Sequence, residues 1–174
     1  MLIISIYPIP VGAPMRGTDG ACAGHPEVRT IDPFQPEVIE LLWRMRREID
    51  GLYGEVTTSP PPQQEFQVPR AAFMAAFMQG SMVGCGGIKP WDARTAILKR
   101  LFVVPEQRRK GVARMLMHEL EDQARRFGYE RMVLDTGFRQ KEALVLYPSL
   151  GYRRAPCTGR NDVKDWGVCF EKDL

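Results

Sequence analysis

The stretch from Leu101 to Arg114, LFVVPEQRRKGVAR, constrains this chain more than any other part of its sequence. Apolar residues run into Pro105, a basic turn follows, and a helical period opens at Gly111. A strand delivered through a short turn into a helix start is the building step of an α/β domain. Arg108, Arg109, Lys110 and Arg114 cluster beside the unpaired N–H groups and positive dipole end of that helix, where an anion is favoured. Gly111 lets a ligand approach the backbone closely, and Ala113 leaves the next exposed N–H unobstructed. The ligand these features suit is a phosphate or pyrophosphate held mainly by main-chain donors. An ATP-type loop requires G-x-x-x-x-G-K-[ST], and here Val112 directly follows Gly111 with no glycine five residues earlier. The dinucleotide fingerprint G-x-G-x-x-G is absent as well. What fits is a cofactor with a pyrophosphate and a long flexible arm lying along a strand.

With 174 residues, 44% hydrophobic and 26% charged, the chain suits one globular domain of ordinary size. The net charge of +3 argues against a nucleic-acid protein, and the compact basic cluster lacks interleaved aromatics for base stacking. No apolar run approaches the roughly 20 residues that span a bilayer, and the start from Met1 to Ile6 lacks a basic flank, so a cytoplasmic protein with no membrane partner is expected. Four cysteines without a C-x-x-C pair predict reduced thiols and no metal, with Cys85 and Cys169 in the core.

Residues 1–27 carry irregularly spaced turn formers and read as an extension, with Leu2 to Tyr7 a short strand within it; residues 28–174 form the single domain. Val28 to Ile31 is strand-like. Val38, Leu41, Leu42, Met45, Ile49 and Leu52 predict an amphipathic helix over Pro36 to Tyr53. Ala71 to Met78 and Met82 to Ile88 form a hairpin about Gln79-Gly80, and Thr95 to Val104 is a strand into which Lys99 intrudes. A helix follows from Gly111 to Phe127, then a strand over Met132 to Leu134, a helix over Gln140 to Leu150 and a last strand over Trp166 to Phe170. Pro148 should kink the third helix beside Tyr147.

Arg108-Arg109-Lys110-Gly111-Val112-Ala113 satisfies R/Q-x-x-G-x-G/A, the acetyl-CoA signature of the GNAT family of N-acetyltransferases, which this sequence resembles. The resemblance continues through Leu134-Asp135-Thr136-Gly137 and through Ala143 to Tyr152, which looks like the family's A-x-x-L-Y-x-x-x-G-[FY] element. It implies the acyl-CoA N-acyltransferase fold: a mixed, largely antiparallel sheet, splayed in the middle, with helices on both sides. It also implies transfer of acetyl from acetyl-CoA to a primary amine by direct attack in a ternary complex, without a metal. The acceptor is a small-molecule or peptide amine, and a homodimer is common in the family. By the same resemblance the main chain of Leu101, Phe102 and Val103 binds the pantetheine arm, with the Val103 N–H polarising the thioester carbonyl. Arg109, Lys110, Gly111, Val112, Ala113 and Arg114 hold the pyrophosphate, with Arg108 opening the signature. Tyr147 is the general acid to the departing thiolate. Gln140 stands where many relatives have an asparagine touching the cofactor, and Asp135 where some have a glutamate that helps deprotonate the amine.

Other readings of these residues stand beside the functional ones. Tyr147 has the spacing of a core aromatic, and Asp135 that of a helix cap or turn residue. A non-catalytic acyl-CoA-binding module shares the cofactor motif. Glu55, Glu65, Asp162 and Asp165, in the loops over 54–70 and 157–165, either draw a cationic acceptor or are plain solvated charge.

Overall fold

The computed structural model describes residues 26–58, 62–157, 159 and 163–174. The strand expected at Leu2 to Tyr7 lies outside them. The chain runs β1 (Glu27–Thr30), α1 (Pro36–Tyr53), a 3-10 turn (Gln64–Phe66), β2 (Ala72–Met78), β3 (Ser81–Pro90), β4 (Thr95–Val103), a second 3-10 turn (Pro105–Gln107), α2 (Val112–Arg126), β5 (Arg131–Gly137), α3 (Lys141–Ser149), β6 (Arg153–Ala155) and β7 (Gly167–Asp173). Seven strands form one sheet in the order β1-β2-β3-β4-β5-β7-β6. Every pairing is antiparallel except β4 with β5.

Local chemistry sets these boundaries. Pro36 starts α1, where its missing N–H costs nothing, and Gly54 closes it at φ 68° with its N–H donating to the Asp50 carbonyl. Gln79 and Gly80 both take positive φ, the turn whose twist matches a two-residue hairpin. After α2, Gly128 N–H donates to the Arg125 carbonyl and Tyr129 N–H to the Ala124 carbonyl, closing the helix in a Schellman motif. The predicted apolar stripe of α2 is the buried one: Val112, Leu116, Leu120 and Ala124 face the sheet. A Cβ on Gly84 of β3 would come within 3.2 Å of Leu116, so a glycine there lets α2 lie close to the strands. Gly87 turns the other way, toward Phe66, and the sheet is covered on both faces.

Two irregularities open the sheet. The β3–β4 register shifts between Cys85 and Gly87, so that Arg100 and Leu101 share the place of one residue in a bulge and Arg100 takes φ 62°. The parallel β4–β5 ladder covers only Thr95, Ala96 and Ile97. Beyond Ile97 the two strands part, while β5 stays paired with β7 as far as Gly137. The expected splayed sheet is therefore present, and its opening lies between Lys99–Val103 and Leu134–Gly137.

Two expectations are corrected and one strand is added. Cys157 and Cys169 are joined in a disulfide with Cα atoms 5.4 Å apart, so the thiols are not all reduced; among the described residues Cys85 is the free cysteine, and it is buried, while Cys22 lies outside them. Antiparallel β6–β7 pairing sets Ala155 opposite Cys169 and returns Cys157 alongside it, a proximity that a separation of 12 residues does not announce. Pro148 lies in the last turn of α3, where the helix ends one residue later, so it terminates the helix rather than kinking its middle. Leu150 N–H then donates to the Tyr147 carbonyl and Gly151 N–H to the Pro148 carbonyl. Strand β6 was not foreseen, because three largely exposed residues show no alternation. Among the described residues no helix is long and apolar enough to cross a membrane.

Candidate active site

Two cavities meet where the sheet parts. The first, of about 350 Å³, lies along Leu101, Phe102 and Val103 to the start of α2, reaching Arg108, Arg109, Gly111, Val112, Ala113 and Arg114. The second, of about 420 Å³, lies between α1, the bulge of β4 and the end of β5. Leu101, Gln140 and Tyr147 line both, together with Met45 and Ile49 of α1. Of the residues to which the resemblance gives a role, all except Lys110 and Asp135 border the first cavity; Asp135 borders the second, as do Glu55 and Glu65.

The first cavity ends on bare amides. Gly111 precedes α2 at φ 84°, with no side chain capping the helix and open space where a Cβ would stand. The first turn of α2 thus presents its orphan N–H groups to the cavity mouth. Arg109, exposed and at φ 61°, points no ion pair inward among the described residues. The other basic side chains are engaged. Arg108 donates to the Val103 carbonyl at 2.9 Å and to Glu48 at 2.7 Å, tying the end of β4 to α1. Lys110 donates to Gln107 and Arg114 to Ser149 of α3. Val104 N–H donates to the Val83 carbonyl on β3, so the alternation along a strand turns the Val103 N–H toward the opposite, open edge.

At the junction, Tyr147 is 5% exposed and packs edgewise on Tyr152 and against Phe170. Burial, reinforced by the charge of Asp135, pushes its phenol well above the ordinary value. Gln140 sits at the start of α3, its amide oxygen accepting from the Thr136 hydroxyl at 3.0 Å. Asp135 faces Lys99 at 2.9 Å. Trp166 stacks on Tyr53 with ring centroids 4.0 Å apart and lines the far wall of the second cavity. Of the acids read as a draw for cations, Glu65 is paired with Lys89 and Arg100 and Glu55 with Lys164, while Asp162 lies outside the described residues. The chain reading passed over Arg46, Glu48 and Arg100. The signal that could have found the last was two adjacent cations, Lys99 and Arg100, inside an otherwise apolar strand.

A sheet parted after a strand bulge, with an uncapped helix start at one end of the gap, defines the acyl-CoA N-acyltransferase class of fold. The acetyltransferase (GNAT) family matches residues 36–152 of this chain. The chain is 31% identical over 121 residues to the IAA acetyltransferase of Azospirillum brasilense, covering 69% of this chain and 79% of that one. It is 33% identical over 135 residues to an uncharacterized N-acetyltransferase of Escherichia coli strain K12, covering 68% and 81%. The crystal structure of a GNAT family acetyltransferase from Elizabethkingia anophelis, with acetyl-CoA bound, shares its fold with a TM-score of 0.61 at 17% identity, over 86% of this chain and 98% of that one. The chain belongs to the GNAT family, and it is an acyltransferase, an N-acetyltransferase of the acetyl-CoA-dependent kind.

Proposed function

We propose that the protein moves acetyl from acetyl-CoA to a primary amine by direct attack within a ternary complex. The observation that carries this reading is the meeting of two cavities at Tyr147, one of them closed by the bare amides of α2. The donor's pyrophosphate fits those amides with Arg109 beside them, and its pantetheine arm fits the main chain of Leu101, Phe102 and Val103. Acetyl-CoA supplies an activated acyl carbon on a thiolate leaving group.

The amine nitrogen forms a bond to that carbon from the second cavity while the carbonyl oxygen gains negative charge, which the Val103 N–H is directed to stabilise. The carbon–sulfur bond then breaks, and the thiolate takes the phenolic proton of Tyr147. Before attack the ammonium, held by Asp135, gives its extra proton by way of Asp135 to solvent water; the proton shed by nitrogen after attack restores the phenol by way of water. A raised phenol is a weak acid, but the dry surroundings that raise it also make a departing thiolate more basic. In this same core burial pushes the Cys85 thiol up to about 12.

Calorimetric titration with acetyl-CoA, on the wild type and on an Arg109→Glu, Gly111→Asp double variant, tests the donor site. Micromolar-range binding by the wild type, abolished in the variant, is expected. A folded wild type that does not bind acetyl-CoA would refute the proposal.

A further inference from the structure

The second cavity carries a charge that its own walls do not neutralise. Among the described residues its lining cations are Arg46, Lys99, Arg100 and Lys164, and its lining carboxylates are Glu55, Glu65 and Asp135, an excess of one positive charge. Each carboxylate already has a cation: Asp135 has Lys99 at 2.9 Å, Glu55 has Lys164 at 3.5 Å, and Glu65 serves both Arg100 at 2.8 Å and Lys89 at 2.6 Å. Arg46 makes no ion pair among the described residues, and its Nε is buried without an acceptor. The Nε of Arg100 is buried and unsatisfied as well. A buried donor left unpaired is costly, and two on guanidinium groups at one cavity wall are a place prepared for an acceptor oxygen.

The backbone supports the same reading independently. Arg100 sits in the β4 bulge at φ 62°, a left-handed conformation that disfavours a side-chain-bearing residue and persists only where the surrounding structure imposes it. The distortion sets a guanidinium where the strands part. Desolvation lowers the pKa of Arg100, Glu65 opposes it, and the charge of Arg46 lowers it again, so the two guanidiniums repel each other across the cavity wall.

Resting on the acetyl-transfer reading, we propose that the acceptor is a small amine that also bears a carboxylate, as an amino acid does. Arg46 and Arg100 hold the carboxylate while the nitrogen reaches the junction at Tyr147. A guanidinium presents paired N–H groups matched to a carboxylate's two oxygens. The excess of a single charge suits this monoanion better than a phosphate monoester, which carries more charge at neutral pH. The size of the cavity, about 420 Å³, suits a small molecule.

The probes are N-acetylglycine, N-acetyl-leucine, N-acetylphenylalanine and N-acetylglutamate, each beside its carboxamide, titrated into CoA-saturated protein by calorimetry. These are products, so no turnover is needed to read the site. At least one acid should bind about ten- to a hundredfold more tightly than its amide, and Arg46→Gln should erase that preference while leaving CoA binding in place. Arg46→Lys should restore part of it. Acids that bind no better than their amides, or a preference that survives Arg46→Gln, would overturn the carboxylate site. Release of free CoA in the presence of the parent amino acids is followed separately. A carboxylate preference without any CoA release would sink acetyl transfer and leave the anion site standing.

Discussion

Tyr147 is the residue on which the two cavities turn, and its surroundings decide what it can do. Buried against Tyr152 and Phe170, with its phenol raised by desolvation, it keeps its proton throughout the neutral range. Removing only the hydroxyl leaves that packing intact. Tyr147→Phe should therefore lower kcat roughly ten- to a thousandfold with little change in acetyl-CoA affinity, as read by steady-state rates beside calorimetry. An unchanged rate would take Tyr147 out of the chemistry. Much of this site is written along the chain, because Arg108 to Ala113 are consecutive and a main-chain anion site needs only a turn, a glycine and a helix start. Arg46 was not legible. It falls between the apolar positions of an amphipathic helix, where a cation reads as ordinary solvated surface, and only the fold sets it opposite Arg100.

At the scale of elements, the helices were the most readable. The stripes of α1 and α2 run long enough for their period to show, and Pro36, Gly54 and Gly128 punctuate them. The irregularity in β4 was expected through the family resemblance and not from any period along the strand, whereas strand β6 was hidden, since three largely exposed residues carry no pattern. The Cys157–Cys169 bond was hidden for the same reason, being made by a pairing that the chain does not advertise. It closes the segment that leads into Trp166 and Gly167 on the wall of the second cavity. A loop of this size contributes about 3 kcal/mol through the entropy of the unfolded chain. Reductant, or Cys157→Ser, should lower the melting temperature by roughly 6–12 °C. Equal thermal melts with and without reductant would contradict this.

Across the whole molecule, buried acids make stability depend on alkaline pH; Cys85 and Tyr147 are two of them, and Tyr152 and Tyr129, also raised chiefly by burial, add to the effect. Burial pushes the Cys85 thiol from its ordinary 9.0 up to about 12, and it pushes the Tyr147 phenol upward from 10.0. Both groups are protonated in the folded protein at pH values where the unfolded chain has begun to ionise. Their contribution is complete below about pH 9 and drains away between about pH 9 and 12, at up to about 1.4 kcal/mol per pH unit for each group. Urea denaturation at about pH 7, 9 and 10.5 should show a plateau and then a fall, shallower in Cys85→Ala. A flat profile over that range would contradict the burial of these protons. The sheet that buries them was legible in outline, from the order of its elements, and its opening was expected from the family resemblance, but where the ladder between β4 and β5 stops, after three residues, is a tertiary fact.

The bare start of α2 and the exposed edge of β4 share a property that the second cavity lacks: they grip with the backbone. An N–H at Val103 or Val112 is present whatever side chain hangs beside it, whereas Arg46, Arg100 and Asp135 contribute only what their own side chains carry. Inheritance therefore acts on the two halves of this site differently. A lineage can rewrite the acceptor wall one side chain at a time and keep the donor grip in working order throughout, which makes change of acceptor the easy direction of drift and change of donor the hard one.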